Sequence, residues 1–130
     1  MGHYTDQIMR NAERINQLKA RIDETVKSRD KNEHKRREWQ KACSDFHEQY
    51  DSLAFPGGFD GALQRLLEGD SVTIEAALCF LECRPYFFRS GYMFKDILRK
   101  AKKAPLSSEQ RERLEHVVEA YRLYRERKNA

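Results

Sequence analysis

Residues 8–53 read IMRNAERINQLKARIDETVKSRDKNEHKRREWQKACSDFHEQYDSL and carry one seven-residue repeat almost without interruption. A period of 3.5 residues held over this length is typical of a helix that packs lengthwise against another helix. Neither proline nor glycine interrupts the stretch. The repeat positions form an apolar first part, a polar middle and an aromatic end: Ile8, Asn11, Ile15, Leu18 and Ile22; Thr25, Arg29, Asn32 and Arg36; Trp39, Cys43, Phe46, Tyr50 and Leu53.

The polar middle of the repeat has two interpretations. In the first, one straight helix runs from about Tyr4 to Ser52, a length of roughly 70 Å at 1.5 Å per residue. In the second, Ser28–Asn32 is a turn and the two halves fold back into a helical hairpin. The straight helix is favoured because the stretch lacks glycine and proline and the repeat keeps its phase across the gap.

A boundary follows the repeat at Phe55-Pro56-Gly57-Gly58, where two glycines and a proline mark a turn. Residues 1–54 are therefore expected to form a helical arm and residues 55–130 a small helical bundle. No strand-type alternation occurs, so the predicted fold class is all-α: a long coiled-coil-like N-terminal helix followed by a compact bundle of four or five short helices. The aromatic end of the arm is expected to join the two parts through Trp39, Phe46, Tyr50 and Phe55.

Composition bounds the class of protein. The chain is 39% hydrophobic and 35% charged, with a mean hydropathy of -0.91. Its 25 Lys and Arg residues against 21 Asp and Glu residues leave a formal charge of +4. The apolar runs are too short to cross a bilayer, and the polar N-terminus has no apolar signal region. Three cysteines, an odd number, favour reduced thiols and a cytoplasmic location.

The apolar first part of the repeat predicts a partner. If the arm is straight, this ridge has no intramolecular surface to pack against, and such a stripe normally marks a partner helix. The leading hypothesis is a non-enzymatic intracellular protein-interaction module that forms a homodimer or captures a helical partner. The predicted partner-binding residues are Ile8, Ile15, Leu18 and Ile22.

A basic cluster with interleaved aromatic residues supports a second hypothesis. Between residues 84 and 103 seven cations are opposed only by Asp96, and five aromatic residues lie among them. Cations with stacking rings are what single-stranded nucleic acid binding uses; otherwise the rings lie in the core and the lysines solvate a surface. A small immunity or antitoxin-type inhibitor is a third possibility that fits the size. The predicted nucleic-acid contacts are Arg89, Lys95, Arg99, Lys100, Lys102 and Lys103.

Catalytic and metal sites are poorly supported by the sequence. Cys43 and His47, like Cys79 and Cys83, are four residues apart and share a helix face, so the two pairs could together form a Cys3His zinc site. Neither pair has the C-x2-C spacing, and a buried free cysteine commonly fills apolar space. No nucleophile–base pattern or glycine-rich phosphate loop occurs. The sequence therefore predicts no enzyme activity, no metal and no cofactor.

Residues 80–114 resemble a helical hairpin of uncharacterised bacterial all-helical proteins of HEAT-like style. The resemblance rests on Leu81-Glu82, Pro85, the run Phe88-Arg89-Ser90-Gly91-Tyr92 and the basic stretch from Arg99 to Lys103. It implies stacked helix pairs in this quarter of the chain. It implies no activity.

Overall fold

The computed structural model describes residues 2–130, and helices are the only regular elements in that part of the chain. The all-α fold class expected from the sequence is thus confirmed. The six helices are α1 (Thr5–Val26), α2 (Glu33–Ala54), α3 (Ala62–Leu67), α4 (Ser71–Cys83), α5 (Ser90–Ala101) and α6 (Ser108–Asn129).

The N-terminal repeat is a helical hairpin, so the expectation of one straight helix is wrong. Residues 27–32 form the turn between α1 and α2. Asn32 caps α2, because its side-chain oxygen accepts a hydrogen bond of 2.9 Å from the backbone N–H of Lys35. The polar middle of the repeat has no apolar surface to bury, whereas folding back lets the apolar and aromatic parts pack on each other. Each half keeps a seven-residue period because the two helices of an antiparallel pair also pack with that period.

The apolar ridge of α1 is covered within the chain, so the expectation that it lacks an intramolecular partner is also wrong. α1 packs against α2 along its length and also contacts α4. Ile8, Ile15 and Leu18 are buried, and Ile22 is partly buried against the same core. Three of the four side chains are therefore already covered by the protein's own core. The expected dimer or helical partner thereby loses the observation on which it was based.

One hydrophobic core spans both parts of the chain. α4 is its centre, because its residues 76–81 are all buried and it contacts α1, α3, α5 and α6. Phe46 and Phe55 are buried in this core, and Tyr50 is partly buried against it, as expected for residues that join the hairpin to the later helices. Trp39 differs: it lies near the turn, where the Arg29 guanidinium sits 4.8 Å from its ring.

α6 is attached to the rest of the protein mainly through its first half. Ser107 and Gln110 form a capping box at its first turn, in which each side chain bonds to the other residue's backbone N–H. Leu114 and Val117 are buried, and the Arg113 guanidinium donates hydrogen bonds to the carboxylates of two α4 residues, Glu75 (2.7 Å) and Glu82 (2.6 Å). Residues 122–130 are exposed. None of the described helices is long and apolar enough to cross a membrane.

Candidate functional site

An open groove of about 1300 Å³ lies where α1, α5, α6 and the segment between α4 and α5 meet. Of the 21 residues that line it, eight are Lys or Arg and none is Asp or Glu. We call this site the basic groove. Its cations are Lys19, Arg84, Arg89, Lys95, Arg99, Lys102, Arg125 and Lys128.

Charge is unevenly distributed between the basic groove and the rest of the molecule. The whole chain has 25 basic and 21 acidic residues. The residues outside the groove include 17 basic and all 21 acidic ones, so that part of the chain carries a formal charge of −4. A concave surface of one sign focuses the electrostatic potential and attracts ligands of the opposite sign. The mild net charge of +4 therefore conceals a strongly cationic site.

Most of the groove cations are not neutralised by a neighbouring acid. Lys19 pairs with Asp23 at 2.7 Å, and Arg99 pairs with Asp96 at 2.8 Å. The other six groove cations form no ion pair with any residue between 2 and 130. Their charge is left available to an anionic ligand.

Two alternate residues anchor the loop between α4 and α5, residues 85–89, in the core. Pro85 and Phe87 are buried, whereas Tyr86 and Phe88 point outward. The Phe87 ring meets the Phe80 ring edge to face at 6.3 Å, and its backbone N–H donates a hydrogen bond of 3.0 Å to Ser90 Oγ. The buried residues thus hold the backbone that carries the exposed side chains of Tyr86 and Phe88.

Two further hydrogen bonds tie the backbone of this loop to the hairpin. The Tyr50 hydroxyl donates to the carbonyl oxygen of Phe88 at 2.7 Å, and Asn16 Nδ2 donates to the carbonyl oxygen of Tyr86 at 2.9 Å. Burial raises the pKa of Tyr50, so its hydroxyl keeps its proton and remains a donor at neutral pH. The hairpin therefore positions one wall of the basic groove.

Exposed aromatic rings lie among the cations. Tyr86 is 85% exposed and Tyr92 is 70% exposed, and Phe88 is also exposed. Fully burying a large apolar side chain is worth about 1.5–3 kcal/mol. Phe88 recovers part of it, because its ring packs edge to face on that of Phe46 at 5.9 Å. Tyr86 and Tyr92 forgo most of it, so folding of this chain alone does not explain their positions.

Arg84 joins α6 to the groove. Its guanidinium lies 4.7 Å from the ring centre of Phe94 on α5. The same group lies 5.4 Å and 4.3 Å from the ring centres of Tyr121 and Tyr124 on α6. Such cation–π contacts are attractive and keep the second half of α6 beside α5. As a result Arg125 and Lys128 line the far wall of the groove.

The structure brings together most, but not all, of the predicted nucleic-acid contacts. Arg89, Lys95, Arg99 and Lys102 line the basic groove, whereas Lys100 and Lys103 do not. Lys100 lies about 100° around α5 from Arg99, and Lys103 lies beyond the end of α5 at Ala101. Sequence reasoning missed the cations that other helices contribute: Lys19, Arg125 and Lys128. The sequence signal for the α6 cations was a basic C-terminal stretch that follows Tyr121 and Tyr124.

The cysteine and histidine residues considered for a metal site do not assemble. Among residues 2–130 no three His, Cys, Asp or Glu side chains converge as metal ligands would. Cys79 Sγ donates to Glu75 Oε2 at 3.1 Å and accepts from the backbone N–H of Tyr4 at 3.5 Å. Burial raises the pKa of Cys83 to about 11, which keeps this thiol protonated. Cys43 and His47 lie on α2.

Comparison with known proteins supplies no further guide to function. No family model, no curated protein and no solved structure matches this chain. A fold alone does not define a function, which depends on the geometry and chemistry of the residues at a site.

Proposed function

We propose that this protein is a non-enzymatic nucleic-acid-binding protein and that the basic groove is its binding site. The observation that carries the proposal is the convergence of eight cations from α1, α5, α6 and the loop region on one concave surface without a single acid. Phosphate backbones bind to such surfaces because each neutralised phosphate releases condensed counterions.

The size and openness of the groove favour a polymer over a small molecule. Its volume of about 1300 Å³ exceeds the roughly 300–1,000 Å³ of a typical small-molecule site. Six cations without an acidic partner suit a ligand that carries charge at regular intervals. A nucleic acid has that distribution, and the exposed rings among the cations suit its bases.

The test compares two variants that lose the same number of charges. In Lys95→Gln/Lys102→Gln/Lys128→Gln the losses lie in the groove. In Arg10→Gln/Arg14→Gln/Arg21→Gln the lost charges lie on exposed residues of α1. At 3.6 residues per turn, these residues lie about 120° or more around the helix from Lys19 and Asn16, which line the groove. Fluorescence anisotropy with a labelled 15-mer of thymidine (dT15) measures affinity from 50 to 300 mM KCl.

We expect the wild-type chain to bind dT15 with an affinity that falls as salt rises. The groove variant should bind at least about tenfold more weakly, and its log–log salt slope should be smaller by about two, since each lost single-strand phosphate contact removes about 0.7. The α1 variant should behave like the wild type. Equal losses in both variants, or displacement of dT15 by polyglutamate as readily as by unlabelled DNA, would overturn the proposal.

A further inference from the structure

Tyr86 and Tyr92 are the two most exposed aromatic residues of the described chain, and both line the basic groove. Neither hydroxyl has a hydrogen-bond partner in residues 2–130, and neither ring packs against another aromatic ring there. Both are anchored on rigid backbone: Tyr86 on the loop fixed by Phe87, Tyr92 in the first turn of α5. Both rings are therefore mostly exposed to solvent, and neither pairs with another aromatic ring of the described residues.

Cations line the same groove as both rings. Arg89 lies three residues from each along the chain and points into the same groove, and Lys95 lies three residues beyond Tyr92. Neither Arg89 nor Lys95 is in an ion pair with another described residue. A ligand that offers a flat apolar face beside each negative charge would satisfy rings and cations together.

We infer that the ligand of the basic groove is a single-stranded polynucleotide whose unpaired bases stack on Tyr86 and Tyr92 while its phosphates lie along the groove cations. This inference rests on the proposed function and narrows it. In a duplex the base faces are already stacked on one another, so an exposed ring gains little there unless it wedges a step apart. In a single strand every base has a free face, and a tyrosine has only two side-chain torsions to immobilise.

The stacking role predicts a selective loss when the rings are removed. Tyr86→Ala/Tyr92→Ala should weaken binding of dT15 and of the RNA 15-mer rU15, with about a five- to 150-fold loss for each ring that stacks on a base. The salt slope should stay as in the wild type, because no charge changes. Affinity for a 15-base-pair duplex should change less than about twofold.

The matched control keeps the rings and removes only the hydroxyls. Tyr86→Phe/Tyr92→Phe should bind dT15 within about twofold of the wild type, since stacking needs only the aromatic face. A second readout uses Tyr86→Trp. Trp39, the only native tryptophan, does not line the groove, so quenching by dT15 beyond that of the wild-type chain would report a base against residue 86.

The outcomes separate this inference from the proposed function. If the alanine variant binds dT15 and rU15 like the wild type, or weakens on the duplex equally, the stacking role is overturned while the basic groove stands. An absence of Tyr86→Trp quenching at saturating dT15 would also overturn it. If the wild-type chain binds no nucleic acid in 50 mM KCl, the proposed function itself fails.

Discussion

Arg84 is held in a left-handed backbone conformation, with a φ of 45°, where α4 ends. Glycine and asparagine are the usual residues at such helix ends, because a side chain costs about 1 kcal/mol or more there. Arg84 occupies the position while its guanidinium contacts Phe94, Tyr121 and Tyr124. The side chain therefore offsets the backbone cost by holding α6 beside α5.

Replacing Arg84 separates its backbone cost from its side-chain contacts. Arg84→Ala loses the ring contacts and keeps the strained backbone, so we expect the lowest free energy of unfolding. Arg84→Gly loses the same contacts and relieves the strain, so it should be more stable than the alanine variant by about 1 kcal/mol. Urea unfolding measures the difference. Equal stability of the two variants would show that the left-handed conformation is not imposed at this residue.

Ile15 tests whether the apolar ridge of α1 belongs to the core. Its side chain is fully buried. Ile15→Ala should lower the free energy of unfolding by about 2–5 kcal/mol, because it leaves a cavity in packed surroundings. Met9→Ala, at a residue of α1 that is 46% exposed, is the control and should cost less than about 0.5 kcal/mol.

The same substitution distinguishes the intramolecular core from a dimer interface. Chemical denaturation and light scattering at several protein concentrations measure stability and mass together. A wild-type dimer that Ile15→Ala converts into an equally stable monomer would contradict the intramolecular packing of α1.

At the scale of elements, the turn between α1 and α2 determines the architecture of the N-terminal half. Asn32 caps α2 through Lys35, and Asp30 and Arg36 form an ion pair across the turn. No glycine or proline marks this turn. The N-cap asparagine can therefore begin α2 at this point without a glycine or proline to mark the break.

Asn32→Ala distinguishes the hairpin from a straight helix by the sign of its effect. In the hairpin the variant loses an N-cap, so the free energy of unfolding should fall by about 1 kcal/mol. In a continuous helix alanine is the better helix former, and the same change would stabilise. Gln17→Ala, on the exposed face of α1, is the control and should change stability by only a few tenths of a kcal/mol. Thermal unfolding followed by circular dichroism measures both variants.

Local features could be predicted from the sequence, but the packing of distant segments could not. The all-helical class, the break at Phe55–Gly58 and the capping box at Ser107 follow from residue types within a few positions. The hairpin could not be preferred over the straight helix, because an antiparallel pair and a partnered long helix share one repeat. The choice depends on whether α1 finds a partner in its own chain, which is a property of the whole fold.

The candidate site could be predicted only in part for the same reason. The cluster from Arg89 to Lys102 is visible as a run of cations in one segment. Lys19 and Lys128 are 109 positions apart in the chain, and only the fold places them on one groove. Basic residues that are far apart in the sequence can thus lie close together in the folded protein.

At the scale of the whole molecule, the basic groove depends on how α6 docks. Arg113 bridges Glu75 and Glu82 on α4, and the hydrogen bond from Arg113 lowers the pKa of Glu75. The hydroxyl of Thr73 likewise lowers the pKa of Asp70 through a hydrogen bond. Both carboxylates are therefore charged in the folded protein at lower pH than in the unfolded chain.

Acid should destabilise the protein through these groups. A carboxyl group whose pKa is lowered by folding contributes stability above its unfolded pKa, near 4.5 for Glu75 and 3.8 for Asp70, and that contribution is lost as pH falls through the folded value. We expect the free energy of unfolding, measured by urea titration, to decrease from pH 6 to pH 3. Glu75→Gln should show a smaller decrease. An identical pH dependence in the variant and the wild type would contradict a role for this ion pair.

Amide chemical-shift changes on titration of ¹⁵N-labelled protein with dT15 show where nucleic acid contacts the folded chain. If the basic groove is the binding site, the largest changes should fall on residues 84–102 and 119–129 and around Lys19. The amides of Arg10, Arg14 and the turn at residues 27–32 should change little. Changes concentrated on that turn or on α2, or no change at all, would contradict binding at the basic groove.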